Sequence, residues 1–413
     1  MSTEEYIVTL DVGTSQVRVV VAEMTADGSF QIVGVGTAKS EGMKKGAIIN
    51  IDQAVQSIRK AVEHAERMVG IEISEVYIGI SGNHVSLQTS HGVVAVSGDD
   101  KEIGHEDIDR VLQAARVIAL PPERMIIEVV PKQFIVDGLD DIYDPYGMIG
   151  VRLEVDAIIV TGAKTVIHNL IRCVEKASLH IADMVFLPLA ASELCLSADE
   201  KNLGVVMVDI GGGTTTLTVF RNGYLVGTAV IPIGGEYITN DIAIGLRTHT
   251  HHAEEIKCKY GNASQQHASS SKKFSVKVIG SGKEQIVTQK ELSSIIGPRI
   301  EEMFHLIRQQ VKEMGFFEEP AGGYVLTGGV MAMEDILHVA QKELGAAVRI
   351  ATPKDIGVKE PSYTSGVGMV HYLQKRGLLT GPRARTTHHP PRPKKQRGLS
   401  PFEKMKNWFS EFI

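Results

Sequence analysis

The first part of the chain alternates between short apolar runs and one amphipathic stretch. The segment EYIVTLDVGTSQVRVVVAEM has Val-, Ile- and Leu-rich runs on both sides of Gly13, which predicts strand, tight turn and strand. The run EVYIGISGN predicts a further buried strand that ends in glycine. Between them a helix is predicted from near Asp52, because apolar residues recur there at three- and four-residue steps: Val55, Ile58, Ala61, Val62, Ala65 and Val69.

The opening pattern returns in the second half of the chain. The segment LGVVMVDIGGGTTTLTVFRNG again joins an apolar run, an aspartate, a glycine turn, hydroxyl residues and a second strand. Asp11 and Asp209 lie close to half the chain length apart, so we predict an internal repeat and two related domains that face each other. Residues 84–160 are predicted to form an inserted subdomain with shorter strands and more turns. A helix over about 165–177 and the segment VFLPLAASELCL then lead back to the main body.

Length and composition narrow the class of protein. A chain of 413 residues is expected to form two or more domains, and its net charge of −6 argues against general affinity for nucleic acid. Three widely spaced cysteines, Cys173, Cys195 and Cys258, fit a reducing compartment and lack metal-ligand spacing. No apolar run approaches the ~20 residues of a membrane-spanning helix, and the N-terminus lacks a signal-peptide core. We therefore expect a cytoplasmic protein, for which any membrane contact must come from one side.

The end of the sequence, GLSPFEKMKNWFSEFI, predicts an amphipathic helix over about 401–413. Ser400 and Glu403 have the spacing of a capping box. At 100° per residue the apolar side chains fall within an arc of about 140°: Phe402, Met405, Trp408, Phe409, Phe412 and Ile413. Such a helix is too short to cross a bilayer and suits the membrane interface. The linker from Lys375 to Gly398 has eight Lys or Arg and no acid, which favours anionic lipid. The alternative is a helix that docks into a protein groove or onto the core.

The two repeated turns contain residues that suit phosphate binding. Small residues between two strands expose consecutive backbone N–H groups, and glycine lets that backbone approach a phosphate closely. Asp11 and Asp209 end the first strands and suit a Mg²⁺ ion held through water or directly. The other predicted phosphate contacts are Gly13, Thr14, Ser15, Gly211, Gly212, Gly213, Thr214 and Thr215. One such turn alone is ordinary turn chemistry, but two copies predict two domains that grip one polyphosphate.

Two further observations bear on this prediction. The segment LTGGV would bring Gly328 and Gly329 against a flat, uncharged group such as a nucleoside. Aspartic proteases also place one aspartate in each of two lobes. Their motif is Asp-Thr-Gly or Asp-Ser-Gly, however, whereas Val12 and Ile210 occupy the middle position here, and the long predicted helices do not suit an all-β fold.

The order of the motifs resembles the actin-like ATPase superfamily over residues 1 to about 376. The matching segments are LDVGTS, LPLAASELCL, VDIGGGTTTLTVF, LTGGV and SYTSGVGMV. The resemblance implies an α/β, ribonuclease H-like two-domain ATPase fold, with ATP and Mg²⁺ as cofactors. GGEYITNDIAIGL and AEEIKCKYG resemble the helical segments that flank ribose and adenine in filament-forming members. Gly235, Glu254 and Lys257 are therefore candidate nucleotide contacts, and for the last two a solvated helix face is the alternative.

Within the superfamily the chain is most similar to the FtsA family of bacterial cell-division proteins. The insertion after YIGISGN, the segment IGGEYITNDIA and the amphipathic tail after a linker support this. The resemblance implies a fold with an inserted subdomain 1C and a C-terminal amphipathic helix. The implied divisions are 1A (1–83, 162–204 and 359–376), 1C (84–161), 2A (205–238 and 306–358), 2B (239–305), a basic flexible linker (377–398) and a membrane-targeting helix (399–413).

The resemblance also implies a function. A member of this family binds ATP, polymerises on the cytoplasmic face of the cell membrane at the division site, anchors FtsZ filaments there and recruits later division proteins. Its FtsZ contact is the C-terminal peptide of FtsZ, which binds subdomain 2B. Arg299 and Glu302, within QKELSSIIGPRIEEMF, are therefore candidate contacts, with plain surface charges of an amphipathic helix as the alternative.

Two positions depart from the pattern of the wider family. A lysine is common where this chain has Gln16, so either Gln16 or Arg18, on the same strand face, would contact phosphate. Relatives that hydrolyse ATP carry a glutamine or carboxylate where Leu187 lies, and Ser192 and Glu193 are the nearest polar side chains. We therefore expect tight ATP binding with slow or negligible turnover.

Other members of the superfamily are the rival interpretations. A sugar or small-acid kinase would need a catalytic aspartate and a sugar pocket, and no such motif is evident. A chaperone would need a peptide-binding domain after residue 376, where only a short segment follows. A pilus-assembly ATPase is the remaining rival, although the amphipathic tail does not favour it.

Overall fold

The structure is a computed structural model that describes residues 6–25, 28–280, 284–316 and 319–376. Lys375 and Arg376, counted above with the basic residues of the linker, are described at the end of a helix, whereas 377–398 and the predicted terminal helix lie outside the described residues. The strands are β1 (Tyr6–Val12), β2 (Gln16–Met24), β3 (Phe30–Lys39), β4 (Met43–Lys44), β5 (Ala47–Ile48), β6 (Glu75–Ile80), β7 (Val85–Ala95), β8 (Arg124–Val136), β9 (Leu139–Ile142), β10 (Arg152–Ala163), β11 (His180–Phe186), β12 (Val205–Ile210), β13 (Thr215–Arg221), β14 (Tyr224–Ile231), β15 (Lys273–Lys277), β16 (Glu284–Thr288), β17 (Tyr324–Thr327) and β18 (Val348–Ile350). The helices are α1 (Ile51–Val69), α2 (His105–Ala115), α3 (Lys164–Lys176), α4 (Leu187–Cys195), α5 (Ala198–Leu203), α6 (Gly235–Gly245), α7 (Thr250–Tyr260), α8 (Gln289–Met314), α9 (Ile336–Leu344) and α10 (Thr364–Lys375).

The first domain is built on a five-stranded sheet with the order β11-β6-β1-β2-β3. β1, β2 and β3 are antiparallel neighbours, whereas β6 and β11 run parallel to β1. Helices cover both faces: Gly366 of α10 lies against Val20, and Gly36 lies against Ala61 of α1. Val19 pairs with Gly36, so Val20 points to the opposite face from Gly36. This double cover explains why the central strands are apolar at nearly every position.

The second domain repeats this plan. Its sheet has the order β14-β13-β12-β17-β18, with β12, β13 and β14 antiparallel and with β17 and β18 parallel to β12. The order matches the first sheet strand for strand, which confirms the predicted pair of related domains. Asp11 is opposite Arg18 and Asp209 is opposite Thr216, so the two aspartates lie near the ends of equivalent central strands.

The inserted subdomain lies between β6 and α3 in the chain. It consists of an antiparallel sheet, β7-β10-β8-β9, and helix α2, with a separate apolar core. The prediction of shorter strands here is wrong, because β7, β8 and β10 have 11, 13 and 12 residues. The sheet is antiparallel and only partly covered, so polar residues alternate with apolar ones and hide the length of each strand in the sequence.

The remaining part of the second domain combines α6, α7 and α8 with the hairpin β15–β16. Helix α8 begins at a capping box, in which Thr288 accepts from the N–H of Glu291 and the Glu291 carboxylate accepts from that of Thr288. It ends before Gly315, whose φ of 71° is left-handed. Within the ranges given above, none of the helices is both long enough and apolar enough to cross a membrane.

Candidate functional site

A cleft of about 640 Å³ lies between the two domains. Ligand sites commonly measure roughly 300–1,000 Å³, so the cleft suits a small molecule. The predicted contacts that line it are Asp11, Gly13, Thr14, Ser15, Arg18, Asp209, Gly211, Gly212, Gly213, Thr214, Gly235, Glu254, Lys257, Gly328 and Gly329. Thr215 does not line it, because neighbouring residues of a strand point to opposite faces. Its buried hydroxyl donates to the Ile233 carbonyl at 2.8 Å, and Thr216 lines the cleft instead.

The two glycine turns are built in the same way. The N–H of Gly13 donates to the carbonyl of Gln16 at 3.1 Å, and the N–H of Gly211 donates to the carbonyl of Thr214 at 3.0 Å. Each turn therefore closes a hairpin directly after its aspartate. The remaining N–H groups of such turns are free to bind an anion.

The two turns also lie against each other across the cleft. A methyl group added to Gly212 would come within 1.8 Å of Ser15 Oγ, and one added to Gly213 within 2.7 Å of Thr14 Oγ1. Contacts below 3.0 Å are too short for real side chains. The absence of side chains at these two glycines therefore lets the domains meet here.

The aspartates share one electrostatic environment. Burial raises the pKa of Asp11, although the nearby Arg18 lowers it. Burial and the charge of Asp11 raise the pKa of Asp209 to about 6, against the opposing effects of Ser365 and Arg18. Ser365 Oγ donates to Asp209 Oδ2 at 3.4 Å. Two carboxylates that resist ionisation together favour a cation beside them.

These residues fit a magnesium ion that arrives with a polyphosphate. Mg²⁺ is typically held by one or two carboxylates, with water and phosphate oxygens completing its octahedral shell. Asp11 and Asp209 supply that number of carboxylates. Over the described ranges, no cluster of three or more His, Cys, Asp or Glu residues is arranged to hold a metal without such help.

Arg18 provides positive charge beside the aspartates. Its Nη2 donates to Gln16 Oε1 at 2.9 Å, and its guanidinium lies 5.7 Å from the centre of the Tyr363 ring. Its Nε is buried and, among the described residues, has no hydrogen-bond partner. An unpaired buried donor costs free energy, so this group favours an additional acceptor nearby. Both Gln16 and Arg18 line the cleft, and Gln16 orients the arginine.

The loop after β17 approaches the second aspartate closely. Gly328 has a φ of 96°, and an added methyl group would lie 2.4 Å from Asp209 Oδ1 and 2.5 Å from the Ile210 carbonyl oxygen. Only glycine fits this position. Gly329 is less confined, with 3.8 Å to Ser362 Cβ.

Helices α6 and α7 form another wall of the cleft. The N–H of Gly235 donates to the Gly211 carbonyl at 2.9 Å, which ties α6 to the glycine turn. Lys257 Nζ donates to Gly235 O, Thr239 Oγ1 and Glu254 Oε2 at 3.0, 2.8 and 2.7 Å. Lys257 and Glu254 thus belong to a hydrogen-bonded network at the cleft, in which the Lys257 side chain is 11% exposed and that of Glu254 is 46% exposed. Their contact with a nucleoside stays a prediction.

Sequence reasoning missed other residues of the cleft. Cys258, the one exposed cysteine of the three, lines the wall formed by α7. Met43, Gly46 and Ile48, from the hairpin β4–β5, line another part. A two-residue strand gives no periodic signal in the sequence, so this hairpin could not have been predicted from the pattern.

The wall near α4 has an apolar side chain at the position where relatives that hydrolyse ATP carry a polar one. Leu187 begins α4, is largely buried and lines the cleft. Ser192 is fully buried, and its hydroxyl donates to the Leu189 carbonyl at 2.7 Å. Glu193 accepts from Lys201 at 2.7 Å and does not line the cleft. Neither of these polar residues replaces the missing glutamine or carboxylate.

The predicted FtsZ contacts lie on α8, away from the cleft lining. Arg299 Nε donates to Asp241 Oδ2 at 2.6 Å, and its Nη1 donates to Glu302. Asp241, as hydrogen-bond and charge partner, raises the pKa of Arg299. An incoming carboxylate would therefore have to share this guanidinium with two acids. The predicted membrane-binding residues, from Phe402 to Ile413, lie outside the described part of the chain.

Comparison with known proteins identifies the family. The family model described as cell division protein FtsA matches residues 206–368, and the model described as the SHS2 domain inserted in FtsA matches residues 82–161. The cell division protein FtsA of Bacillus subtilis is 49% identical over 381 residues, covering 92% of this chain and 86% of that protein. FtsA of Pseudomonas aeruginosa is 39% identical over 376 residues, covering 90% of each chain.

Solved structures agree on the fold. The type IV pilus biogenesis complex PilM–PilN superposes with a TM-score of 0.61 at 15% identity, covering 88% of this chain and 97% of that one. MreB5 of Spiroplasma citri bound to ADP superposes with a TM-score of 0.54 at 14% identity, covering 90% of this chain and 97% of that one. At these identities the likeness shows only the actin-like architecture. The sequence relatives decide the family: the chain belongs to the FtsA family of cell-division proteins and has its actin-like fold with an inserted subdomain.

Proposed function

We propose that this cell-division protein binds ATP with Mg²⁺ in the cleft between its domains. The observation that carries the proposal is the pair of opposed glycine turns, each directly after an aspartate, that line one cleft. The fold supports it, since the similarly folded MreB5 of Spiroplasma citri was solved bound to ADP.

Each part of the cleft then has a distinct task. Backbone N–H groups of the two turns and the hydroxyls of Thr14, Ser15 and Thr214 bind the phosphates. Asp11 and Asp209 hold Mg²⁺ through water, and the ion neutralises phosphate charge when bound. Arg18 adds a fixed positive charge. The α6–α7 wall, with Lys257 and its network, accepts the nucleoside.

We also propose a slow or negligible rate of hydrolysis. In-line attack on a phosphate requires a positioned water, and relatives that hydrolyse ATP orient it with a polar side chain. Leu187 occupies that place, and the polar residues that follow it on α4, Ser192 and Glu193, are engaged elsewhere. ATP would therefore serve mainly as a ligand that holds the two domains together.

In the cell, the protein would polymerise on the cytoplasmic face of the membrane at the division site, anchor FtsZ filaments and recruit later division proteins. Its relatives' role in cell division and the apolar arc of the terminal segment support this proposal. One short interfacial helix binds weakly, whereas many copies in a filament bind together with much higher avidity. The C-terminal peptide of FtsZ would contact Arg299 and Glu302.

The test uses the full chain, a variant that ends at residue 376, and Asp209→Asn. We expect the full chain to bind a fluorescent ATP analogue with Mg²⁺, to sediment with anionic vesicles and to form filaments on them that electron microscopy detects. The truncated chain should bind ATP equally well but stay in the supernatant, and Asp209→Asn should lose the Mg²⁺-dependent part of ATP binding. A truncated chain that still sediments with lipid would contradict the anchor, and a full chain that binds no ATP would contradict the nucleotide site.

A further inference from the structure

The hairpin β4–β5 is a short, firmly held element at the rim of the cleft. Its two turn residues, Lys45 and Gly46, have φ angles of 49° and 75°. Positive φ at both central positions is typical of the tight type I′ turn, whose twist matches its strands. At its base, the Gly42 carbonyl accepts from the N–H groups of Ile49 and Asn50, at 2.8 and 3.1 Å. Asn50 is also the N-cap of α1, so the hairpin is anchored to a long helix.

The tip of the hairpin touches the first glycine turn. The N–H of Gly46 donates to Thr14 Oγ1 at 3.0 Å, and Gly46 itself lines the cleft. A hydroxyl can accept one hydrogen bond and donate another. Because Gly46 occupies an acceptor site of Thr14, the hydroxyl proton of Thr14 remains available to a phosphate oxygen.

The same tip reaches the opposite domain. Lys45 Nζ lies 5.6 Å from the centre of the Tyr237 ring, on α6 of the second domain. Tyr237 is two residues from Gly235, whose N–H is bonded to the second glycine turn. The hairpin therefore touches the first glycine turn directly and, across the cleft, contacts the helix that is bonded to the second turn.

Lys45 adopts a backbone conformation that usually belongs to glycine or asparagine. A non-glycine residue at positive φ is uncommon and costs free energy. This cost is offset where the side chain makes a useful contact, and the contact that Lys45 makes is with Tyr237. The contact of its side chain with Tyr237 therefore explains a lysine at this position, whereas the turn alone would favour glycine or asparagine.

We propose that the β4–β5 hairpin closes the phosphate end of the cleft and slows nucleotide release. Gly46 orients the Thr14 hydroxyl toward the phosphates, and the Lys45–Tyr237 contact holds the hairpin to the second domain. Lys45 and Tyr237 are positioning residues, since they act through the hairpin. The inference rests on the proposed ATP site and adds to it a gate made by this chain's own residues.

The experiment measures the rate at which a fluorescent ATP analogue leaves the Mg²⁺-loaded full chain after unlabelled ATP is added in excess. Lys45→Ala should release the analogue about two- to fivefold faster, which corresponds to about 0.5–1 kcal/mol for a solvent-exposed cation–π contact. Tyr237→Ala should release it at least as fast, because its ring also lies 5.8 Å from the Arg299 guanidinium. Lys45→Arg and Tyr237→Phe keep a cation and a ring, so both should release at nearly the wild-type rate. The double alanine variant should be no faster than Tyr237→Ala alone, because one contact cannot be removed twice.

A matched control is available elsewhere in the chain. Lys132 Nζ lies 5.6 Å from the Tyr224 ring, between the inserted subdomain and the second domain and outside the cleft lining. Lys132→Ala should leave the release rate unchanged. Without nucleotide, Lys45→Ala and Lys132→Ala should have the same unfolding temperature.

The outcomes separate the two proposals. If the wild type binds the analogue and Lys45→Ala releases it at the wild-type rate, the gate is refuted and the ATP site stands. If Lys132→Ala speeds release of the analogue as much as Lys45→Ala does, the gate is also refuted, because loss of any contact between domains would then have the same effect. A wild type that binds no analogue would refute both.

Discussion

Substitution of Gly212 by alanine tests whether the two glycine turns must meet for nucleotide to bind. The added methyl group would lie 1.8 Å from Ser15 Oγ and 2.8 Å from Ser15 Cβ. A different rotamer of Ser15 relieves the first contact but not the second, so the turns must separate by several tenths of an ångström. Overpacking of this kind typically costs about 1–3 kcal/mol. If the closed cleft bears that cost, ATP affinity should fall by about 5- to 140-fold.

The assay is equilibrium titration with a fluorescent ATP analogue, in both the wild-type background and a Ser15→Gly background. Without the Ser15 side chain, the nearest remaining atom of that residue is its backbone nitrogen, at 3.4 Å, an ordinary contact distance. Gly212→Ala should therefore cost much less affinity in the Ser15→Gly background. The neighbouring Gly211→Ala, whose methyl group would lie 3.4 Å from the Thr214 carbonyl oxygen, should have a smaller effect than Gly212→Ala.

Two results would refute this reasoning. The first is an equal loss of affinity from Gly212→Ala in both backgrounds, which would mean that the Ser15 contact is not the cause. The second is a large fall in the unfolding temperature without nucleotide, which would mean that the glycine is needed for folding of the domain and not for closure of the cleft.

Three further predictions concern the cleft and the predicted FtsZ contact on α8. Burial and Asp11 raise the pKa of Asp209 from 3.8 to about 6. The protonated Asp209 therefore contributes fully to the free energy of unfolding below pH 3.8, and this contribution is lost as the pH rises through about 6. Between pH 5 and pH 8, the free energy of unfolding, measured by urea titration without nucleotide, should fall by about 1 kcal/mol more for wild type than for Asp209→Asn. An equal fall in the two proteins would contradict this. Cys258 is exposed in the cleft and the other two cysteines are buried, so saturating Mg²⁺–ATP should slow alkylation of wild type at least about tenfold. Mass spectrometry measures the alkylation rate at pH 8.5, because burial and Glu254 raise the pKa of the Cys258 thiol and a higher pH yields more of the reactive thiolate. An alkylation rate that Mg²⁺–ATP leaves unchanged would place the nucleotide elsewhere. Arg299→Ala should weaken binding of the FtsZ C-terminal peptide about tenfold in a titration, whereas Arg308→Ala, on the same helix, should not.

Most of the fold could be predicted from the sequence because its signals are local. Apolar runs broken by glycine predicted the strands β1, β2, β12 and β13, and helical periodicity predicted α1. The recurrence of the aspartate–glycine turn predicted two related domains, and the matching strand orders of the two sheets confirm them. The strand lengths of the insertion were misjudged, since polar residues on an exposed face interrupt the apolar pattern.

The candidate site was predictable only in part. Its glycines and aspartates stand beside each other in the sequence, so their chemistry is evident there. Thr215 was mistaken for Thr216, because a hydroxyl-rich strand does not reveal which face turns inward until its register is known. The hairpin β4–β5 and Cys258 became part of the cleft only through packing between distant segments.

The sequence by itself determined which residue types are available, where the turns fall and which family the chain resembles, because these depend on neighbours along the chain. The tertiary structure decided what those residues do to one another. Asp209 has a raised pKa because folding buries it and brings it beside Asp11, and Gly328 must be glycine because its loop packs against the Asp209 carboxylate. Lys45 meets Tyr237 because a hairpin of the first domain spans the cleft to the second. Burial and charge act through space, and the order of residues along a chain does not specify those distances.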